Sequence, residues 1–236
     1  MSKKVAILVD GDFFIRCYKS HLKKQSGDKY KDLNPEKLAH DIHTHCLRHI
    51  NKKNEELYRI FFYDCKPLEK RVHYPHTQKA LDLSKNSTYK ERKELHKHLI
   101  SKPCLALRLG YLDEKNAKWV IRDQEKEKKL FNRKISIEEF QNDDFIYHAK
   151  QKGVDIKIGL DIATLALKKL VQKIVLISGD SDFVPAAKLA RVEGIIFTLD
   201  PMGNPIREDL EEHIDYLTTR LPQFKKQQQN AYSIKH

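Results

Sequence analysis

The chain has 236 residues, of which 40% are hydrophobic and 33% charged, a balance that predicts a globular domain rather than a disordered chain. Its formal net charge is +12, because 45 Lys and Arg outnumber 33 Asp and Glu, and this favours nucleic acid as a partner. No apolar run approaches the roughly 18 residues of a membrane span. The carboxylate at position 10 comes too early for a signal peptide, so we expect a cytoplasmic protein without membrane contact.

The first predicted elements are two strands with a helix between them. Residues 5–9 form an apolar run typical of a buried parallel strand, and the run ends at Asp10. A helix is predicted to begin at Pro35, after which apolar side chains recur at every fourth position. Residues 59–63 read as a second strand, which ends at Asp64. This order of elements predicts a parallel sheet.

The middle of the chain, about residues 66–148, is basic and highly charged, and we interpret it as a variable insertion within one domain of residues 1–222. A strand at 104–112 is predicted inside it, and residues 113–144, with one short β-like stretch at 119–121, are interpreted as a hairpin or an insertion on the core. Residues 223–236 are rich in Gln and Lys and are predicted to form a mobile basic tail.

Regular elements return after the insertion. A helical stripe is predicted up to about residue 169, followed by the most apolar strand of the chain, residues 173–178. A helix at 185–193 and a strand at 194–199 complete the pattern. Strands that alternate with helices in this way predict an α/β fold with a central, mostly parallel sheet.

Several carboxylates are predicted to meet at one edge of this sheet. Asp10, Asp180 and Asp182 follow strands, and the carboxyl ends of parallel strands face a common crevice. Asp161 lies on the helical stripe that should face the sheet, where an unpaired charge is costly, so it needs a metal or a cationic side chain. Asp155 is interpreted first as a helix cap and second as an additional metal ligand. Each acid alone could equally be a turn former or a cap.

A site built from carboxylate oxygens, without His or Cys, suits Mg²⁺ or Mn²⁺ rather than zinc. Such a cation site fits phosphodiester chemistry, in which a metal activates water and stabilises a leaving oxygen. The basic surface would then hold the nucleic acid. The pattern therefore predicts a metal-dependent hydrolase acting on a polyanion.

The chain resembles the NYN domain, and more narrowly the LabA-like (DUF88) branch of that family in the PIN-like nuclease superfamily. Four motifs carry the resemblance, and their order and spacing are more specific than any one of them. They are Val9-Asp10-Gly11-Asp12-Phe13-Phe14, Phe62-Tyr63-Asp64, Lys152-Gly153-Val154-Asp155 with Asp161, and Ser178-Gly179-Asp180-Ser181-Asp182-Phe183-Val184-Pro185.

This resemblance implies a PIN-like α/β/α sandwich and a Mg²⁺- or Mn²⁺-dependent endoribonuclease that acts on RNA, with single-stranded RNA as the expected substrate. The implied catalytic and metal-binding residues are Asp10, Asp161, Asp180 and Asp182, with Asp155 as a further metal ligand. The sequence departs from the family at Phe13, where many relatives have an Asn. The sequence is also compatible with a homo-oligomer.

Two other classes of protein share parts of this pattern. A haloacid-dehalogenase-type phosphatase would use Asp10-Gly11-Asp12 as nucleophile and acid, but Val184 and Pro185 occupy the stretch where that family has a further acid. A non-catalytic RNA-binding or regulatory module would keep the acids to grip phosphates through a cation. A covalent aspartyl-phosphate would indicate the first, and RNA binding without cleavage would indicate the second.

Basic and histidine side chains of the insertion are predicted to contact nucleic acid through phosphates and bases. They are Arg71, His73, His76, Lys85, Lys90, Arg92 and Lys93. Another histidine group, His43, His45 and His49, falls on the helix after Pro35. We interpret it as an exposed polar face rather than a metal site, because no glutamate stands between the histidines as a catalytic base.

Overall fold

The computed structural model describes residues 2–26 and 33–221. Its central element is a seven-stranded sheet. The strands of the chain are β1 (Lys3–Asp10), β2 (Glu55–Cys65), β3 (Arg71–His73), β4 (Ala80–Asp82), β5 (Leu105–Leu112), β6 (Lys118–Ile121), β7 (Phe145–His148), β8 (Gln151–Lys152), β9 (Lys173–Ile177), β10 (Ile196–Asp200) and β11 (Tyr216–Leu217). The sheet order is β11-β10-β9-β1-β2-β5-β8, and every pair except β5 and β8 is parallel. The predicted tail at 223–236 lies outside the described residues.

The helices cover both faces of this sheet. They are α1 (Gly11–Ser26), α2 (Pro35–Leu47), α3 (Ser87–Ile100), α4 (Gln124–Phe131), α5 (Val154–Leu167), α6 (Val184–Val192) and α7 (Glu208–Glu211). Apolar side chains of α1, α2 and α3 pack on one face, and those of α5 and α6 pack on the other. Residues 5–9 of β1 are completely buried because helices cover the strand on both sides. The result is the three-layer α/β/α sandwich that the sequence predicted.

The range 66–148 contains core elements as well as decoration. Strand β5 belongs to the central sheet, and α3 packs against α2 and β5. The decoration consists of two small antiparallel hairpins, β3–β4 and β6–β7, together with α4. Strand β6 lies at the predicted β-like stretch, and it pairs with β7 so that Trp119 lies opposite Tyr147. Both hairpins stand near the carboxyl ends of β2 and β5.

None of the helices in residues 2–26 and 33–221 is long and apolar enough to cross a membrane.

Candidate acidic site

Asp10 is the last residue of β1, and helix α1 starts at the next position. Its Oδ1 accepts a hydrogen bond from the backbone N–H of Phe13 at 3.1 Å. The pKa of Asp10 is raised to about 6, chiefly by burial and also by the charges of Asp12 and Asp155, while the Phe13 hydrogen bond opposes the rise. A carboxylate with a raised pKa beside other acids gains from a cation that neutralises the group.

Asp180 and Asp182 follow β9, the neighbour of β1 in the sheet. Asp180 accepts a hydrogen bond from the backbone N–H of Asp182 at 2.9 Å and so caps the short turn that precedes α6. Asp10 and Asp180 line the same cleft of about 300 Å³, whose other walls are Phe13, Arg16, Ser178 and Gly179. The two strand ends therefore bring these acids together as the sheet topology predicted.

Asp155 lies in the first turn of α5, across from this cleft. The helix cap predicted for Asp155 was wrong, because Gly153 occupies the N-cap with a φ of 78°, a left-handed conformation that glycine adopts without strain. Loss of solvent around the carboxylate raises the pKa of Asp155, and the charges of Asp180 and Asp182 raise it further. The negative charge of Asp155 is thus repelled both by Asp10 and by the acids that follow β9.

Asp161 is paired with a phenol and a guanidinium. Its Oδ2 accepts a hydrogen bond from the Tyr63 hydroxyl at 2.7 Å and lies 3.3 Å from Nε of Arg108. Its side chain is 23% exposed. This is the salt bridge that the sequence left open as the alternative to a metal. Tyr63 is the register partner of Asp10, so Asp161 contacts the acidic edge through that ring. Its role as a metal ligand stays a prediction.

The described residues contain one group of three side chains with potential metal-ligand atoms within 4.8 Å of one another, and it is not the acidic group. It consists of His45, His49 and Asp200, all of them buried. The interpretation of His45 and His49 as an exposed helix face was wrong, since they are 1% and 5% exposed. Both histidine Nε2 atoms lie 2.9 Å from the same Asp200 oxygen, Oδ2.

Hydrogen bonding accounts for this buried triad without a metal. Asp200 accepts bonds from two imidazoles through Oδ2 and from the Met202 N–H through Oδ1 at 2.8 Å. The Nδ1 atom of His45 is buried and has no partner among the described residues. A metal-bound imidazole normally donates its second N–H to an acceptor. The lone Nδ1 therefore fits an imidazole that donates through Nε2 to Asp200, and the triad serves as a structural link between α2 and β10.

Arg92 joins two carboxylates near the acidic edge. Its Nη1 lies 2.9 Å from Oδ2 of buried Asp64, and its Nη2 lies 3.5 Å from Oδ1 of Asp12. His96 donates to the same Asp64 oxygen at 2.7 Å. The Arg92 side chain is only 22% exposed. Its guanidinium is thus committed to internal ion pairs, and phosphate contact by Arg92 stays a prediction.

The other predicted nucleic-acid contacts are exposed. Arg71 is 81% exposed and lies 3.8 Å from Asp82, a pair that contributes little at the surface. Lys93 lies over the Tyr89 ring, 5.4 Å from its centroid. The remaining exposed members of the set are His73, His76, Lys85 and Lys90. They belong to the insertion, and none of them lines the acidic cleft.

Arg16 is a residue of the acidic cleft that the sequence interpretation missed. It is exposed on α1 and lines the cleft with Asp10 and Asp180. Its charge lowers the pKa of Asp10 in part. The helical spacing of Phe14, Tyr18 and Leu22 would have revealed α1 and placed Arg16 near Asp10.

The sequence predicts that the chain binds RNA, and on that prediction Arg16→Ala is expected to weaken binding severalfold and to reduce the slope of log affinity against log salt by about one unit, because it removes a cation from the cleft. Fluorescence anisotropy with labelled RNA in EDTA over a range of salt concentrations measures both effects. Lys3→Ala is the matched control, because Lys3 lies at the other end of β1 from Asp10. An unchanged salt slope would remove Arg16 from the RNA contact surface.

Phe13 and Gly179 form the floor of the cleft. A Cβ atom at Gly179 would lie 2.6 Å from the Phe13 ring, so the strand end carrying Asp180 approaches α1 through a glycine. Phe13 thus occupies the position of the family's Asn with a buried ring.

Gly179→Ala is expected to destabilise the fold by about 1–3 kcal/mol, because the Phe13 ring or the Asp180 loop must move. Gly159, on α5, is the matched control, since no atom of the described residues lies within 4 Å of an added Cβ there. Gly159→Ala is expected to stabilise the helix by up to about 1 kcal/mol. Urea unfolding measures the change in the free energy of unfolding for both variants. Equal changes of the same sign would contradict a close contact between Gly179 and the Phe13 ring.

A three-layer α/β/α sandwich with acids at the carboxyl ends of adjacent parallel strands is consistent with a PIN-like fold. The family model of the NYN domain matches residues 74–216, which is more than half of the chain. The chain therefore belongs to the NYN domain family and, through it, to the PIN-like nuclease superfamily. The matched range includes Asp155, Asp161, Asp180 and Asp182, whereas Asp10 precedes it.

Among solved structures, the chain is similar to a protein of unknown function from Vibrio parahaemolyticus. The two chains are 12% identical, with a TM-score of 0.43 over 92% of this chain and 93% of that one. A similarity of this size supports no argument about function. No curated protein matches the chain.

Proposed function

We propose that the chain is a Mg²⁺- or Mn²⁺-dependent endoribonuclease that hydrolyses phosphodiester bonds of single-stranded RNA at the acidic edge of the sheet. The observation that carries the proposal is that Asp10 and Asp180 line one cleft, while Asp155 lies near enough for its charge to raise the pKa of Asp10 and for Asp180 and Asp182 to raise its own pKa. Carboxylates in such a group, with oxygen donors alone, fit a hard divalent cation. The NYN family membership supports the same class of activity.

Each residue has a distinct part in this proposal. The four carboxylates hold the cation, which supplies water activation and charge neutralisation when bound. Arg16 stands at the rim of the cleft, where it binds a phosphate beside Asp10. Arg92 orients Asp12 next to Asp10, and Tyr63 with Arg108 fixes Asp161. We assign Asp161 a positioning role first, because its carboxylate is already neutralised by Arg108.

The proposal also covers the setting of the enzyme. We place the chain in the LabA-like branch of the family, on the motifs around Asp10 and Asp180. We place its action in the cytoplasm, where its RNA substrates would be met. The excess of positive charge supports long-range attraction of RNA to the surface.

The test is incubation of the purified chain with labelled single-stranded RNA or DNA, in Mn²⁺, Mg²⁺ or EDTA. We expect internal cleavage of the RNA with either metal and none in EDTA. Asp180→Asn should abolish it, whereas Asp209→Asn, on the exposed surface of α7, should leave it unchanged. RNA binding without cleavage in every metal would replace the proposal with a non-catalytic binding module.

A further inference from the structure

A second and larger cleft, of about 400 Å³, lies between the two hairpins of the insertion and the beginning of α3. Three rings of its wall form what we call the aromatic cluster: Tyr74, Trp119 and Tyr147. The centroids of Tyr74 and Trp119 lie 4.9 Å apart with ring planes at 31°. Those of Trp119 and Tyr147 lie 5.3 Å apart at 68°. All three rings are partly exposed.

The local sequence explains why these rings meet. Trp119 and Tyr147 face each other across the β6–β7 pair, so the hairpin register fixes their contact. Tyr74 stands in the turn of the other hairpin, where its N–H donates to the carbonyl of Lys79 at 3.0 Å. The contact of Tyr74 with Trp119 therefore joins the two hairpins. Rings that only filled a core would be buried, as Phe140 and Phe145 are in the same insertion.

The wall of the cleft carries two arginines, Arg92 and Arg122, and two aspartates, Asp64 and Asp143. His148 also lines the cleft, and Lys70 lies 6.0 Å from the centroid of Tyr147. The charge of Asp64 is already balanced, since Arg92 and His96 both bond to its Oδ2. Arg122 and Lys70 therefore remain beside the aromatic cluster to attract a ligand that combines aromatic rings with negative charge.

The cleft adjoins the acidic site. Arg92 lines the cleft and reaches Asp12, two residues after Asp10, at 3.5 Å. Its guanidinium thus connects the wall of the larger cleft with the first turn of α1, beside Asp10. A chain of linked phosphates that passes Arg92 can be in both sites at once.

We propose that the cleft holds an unpaired base of single-stranded RNA, stacked against the aromatic cluster, while the strand continues past Arg92 to the acidic site. The volume falls within the range of small-molecule sites, and stacking of bases on aromatic side chains is the usual way in which proteins bind unpaired nucleotides. A base inside a duplex cannot enter such a cleft. This inference rests on the proposed function for the identity of the ligand, and it assigns that enzyme a preference for unpaired RNA.

Trp119 is the single tryptophan of the chain, so its fluorescence reports on this cleft alone. The experiment titrates the full chain, in EDTA, with a short single-stranded RNA, with an abasic ribose-phosphate oligomer of equal length, and with duplex RNA. We expect saturable quenching with the single-stranded RNA and little with the other two. Electrostatic attraction is the same for the abasic oligomer, so the difference isolates the base.

Variants separate the cleft from general RNA affinity. Tyr147→Ala and Trp119→Ala are each expected to weaken binding of single-stranded RNA about tenfold, measured by anisotropy in EDTA, because each removes part of the stacking surface. Binding of the abasic oligomer should be unchanged. Phe131→Ala is the matched control, since that ring is 75% exposed on α4 and lies outside the cleft. Circular dichroism establishes that each variant is folded.

The outcomes distinguish this inference from the proposed function. RNA cleavage with no change in Trp119 emission would overturn the base site and leave the nuclease intact. Quenching by RNA with no cleavage in Mn²⁺ would support the base site and overturn the nuclease. Equal quenching by the abasic oligomer would show that binding depends on phosphate charge and would overturn the base site. Quenching by an apolar peptide but not by RNA would also overturn it and would assign the cleft to a protein partner.

Discussion

Asp10→Asn is expected to lower metal-dependent RNA cleavage by at least about 10²-fold while it makes the metal-free protein more stable. The loss of activity follows from removing one charged ligand beside Asp155 and Asp180. The substitution keeps the shape of the side chain and its Oδ1, which accepts the hydrogen bond from the Phe13 N–H. The variant therefore tests charge rather than packing. Cleavage assays beside Asp209→Asn give the comparison.

The gain in stability follows from the raised pKa of Asp10. Its value rises from 3.8 to about 6, so ionisation of this carboxyl is less favourable in the folded chain than in the unfolded chain. The penalty is absent below pH 3.8, grows as the pH rises to about 6, and is complete above it. Screening by solvent reduces it to about 1–2 kcal/mol at this partly exposed group.

Urea unfolding in EDTA at pH 8 and pH 4 measures the expected gain. At pH 8, Asp10→Asn should be the more stable protein, and at pH 4 the difference should be much smaller. Mn²⁺ should reverse the order, because binding to the native wild type adds about 2.7 kcal/mol at a metal concentration of 100 Kd. A variant that is stabilised by Mn²⁺ as strongly as the wild type would exclude Asp10 from the cation site.

The sequence predicted the sheet well because its strands are continuous apolar runs buried on both faces. Residues 5–9 and 173–178 have the apolar composition of buried strands, and the acids that follow them were placed correctly at the strand ends. Helix α1 was missed, although Phe14, Tyr18 and Leu22 mark its buried face, because the glycine and acids at its start resemble a loop. With α1 missing, Arg16 could not be assigned to the cleft.

Interactions between distant residues were beyond the reach of the sequence. His45 and His49 looked like a polar surface because their partner, Asp200, comes more than 150 positions later. Arg92 looked free for the same reason, since nothing local indicates its contacts with Asp64 and Asp12. A polar side chain on a predicted helix therefore says little about exposure until the opposite strand ends are known.

Asp200→Asn is expected to lower the free energy of unfolding by about 2–4 kcal/mol at pH 7, because two buried imidazoles lose the anion to which they donate. The change is isosteric, so packing around Met202 is kept while the charge disappears. The rate of RNA cleavage by the folded protein should change little, since Asp200 does not line the acidic cleft. Urea unfolding beside His40→Gln, an exposed change on the same helix, provides the measurement and its control.

The pH dependence separates the hydrogen-bonded triad from a metal site. Burial alone would raise the pKa of Asp200, but the bonds from His45 and His49 outweigh it and lower the pKa to about 2. A depressed carboxyl pKa stabilises the fold above pH 3.8, and this contribution of about 2 kcal/mol is lost as the pH falls from 3.8 to 2. The gap between wild type and Asp200→Asn should therefore narrow in that window. If the triad instead holds a metal, the purified wild type contains one equivalent of zinc or iron that Asp200→Asn lacks, and chelation at pH 7 lowers wild-type stability to that of the variant.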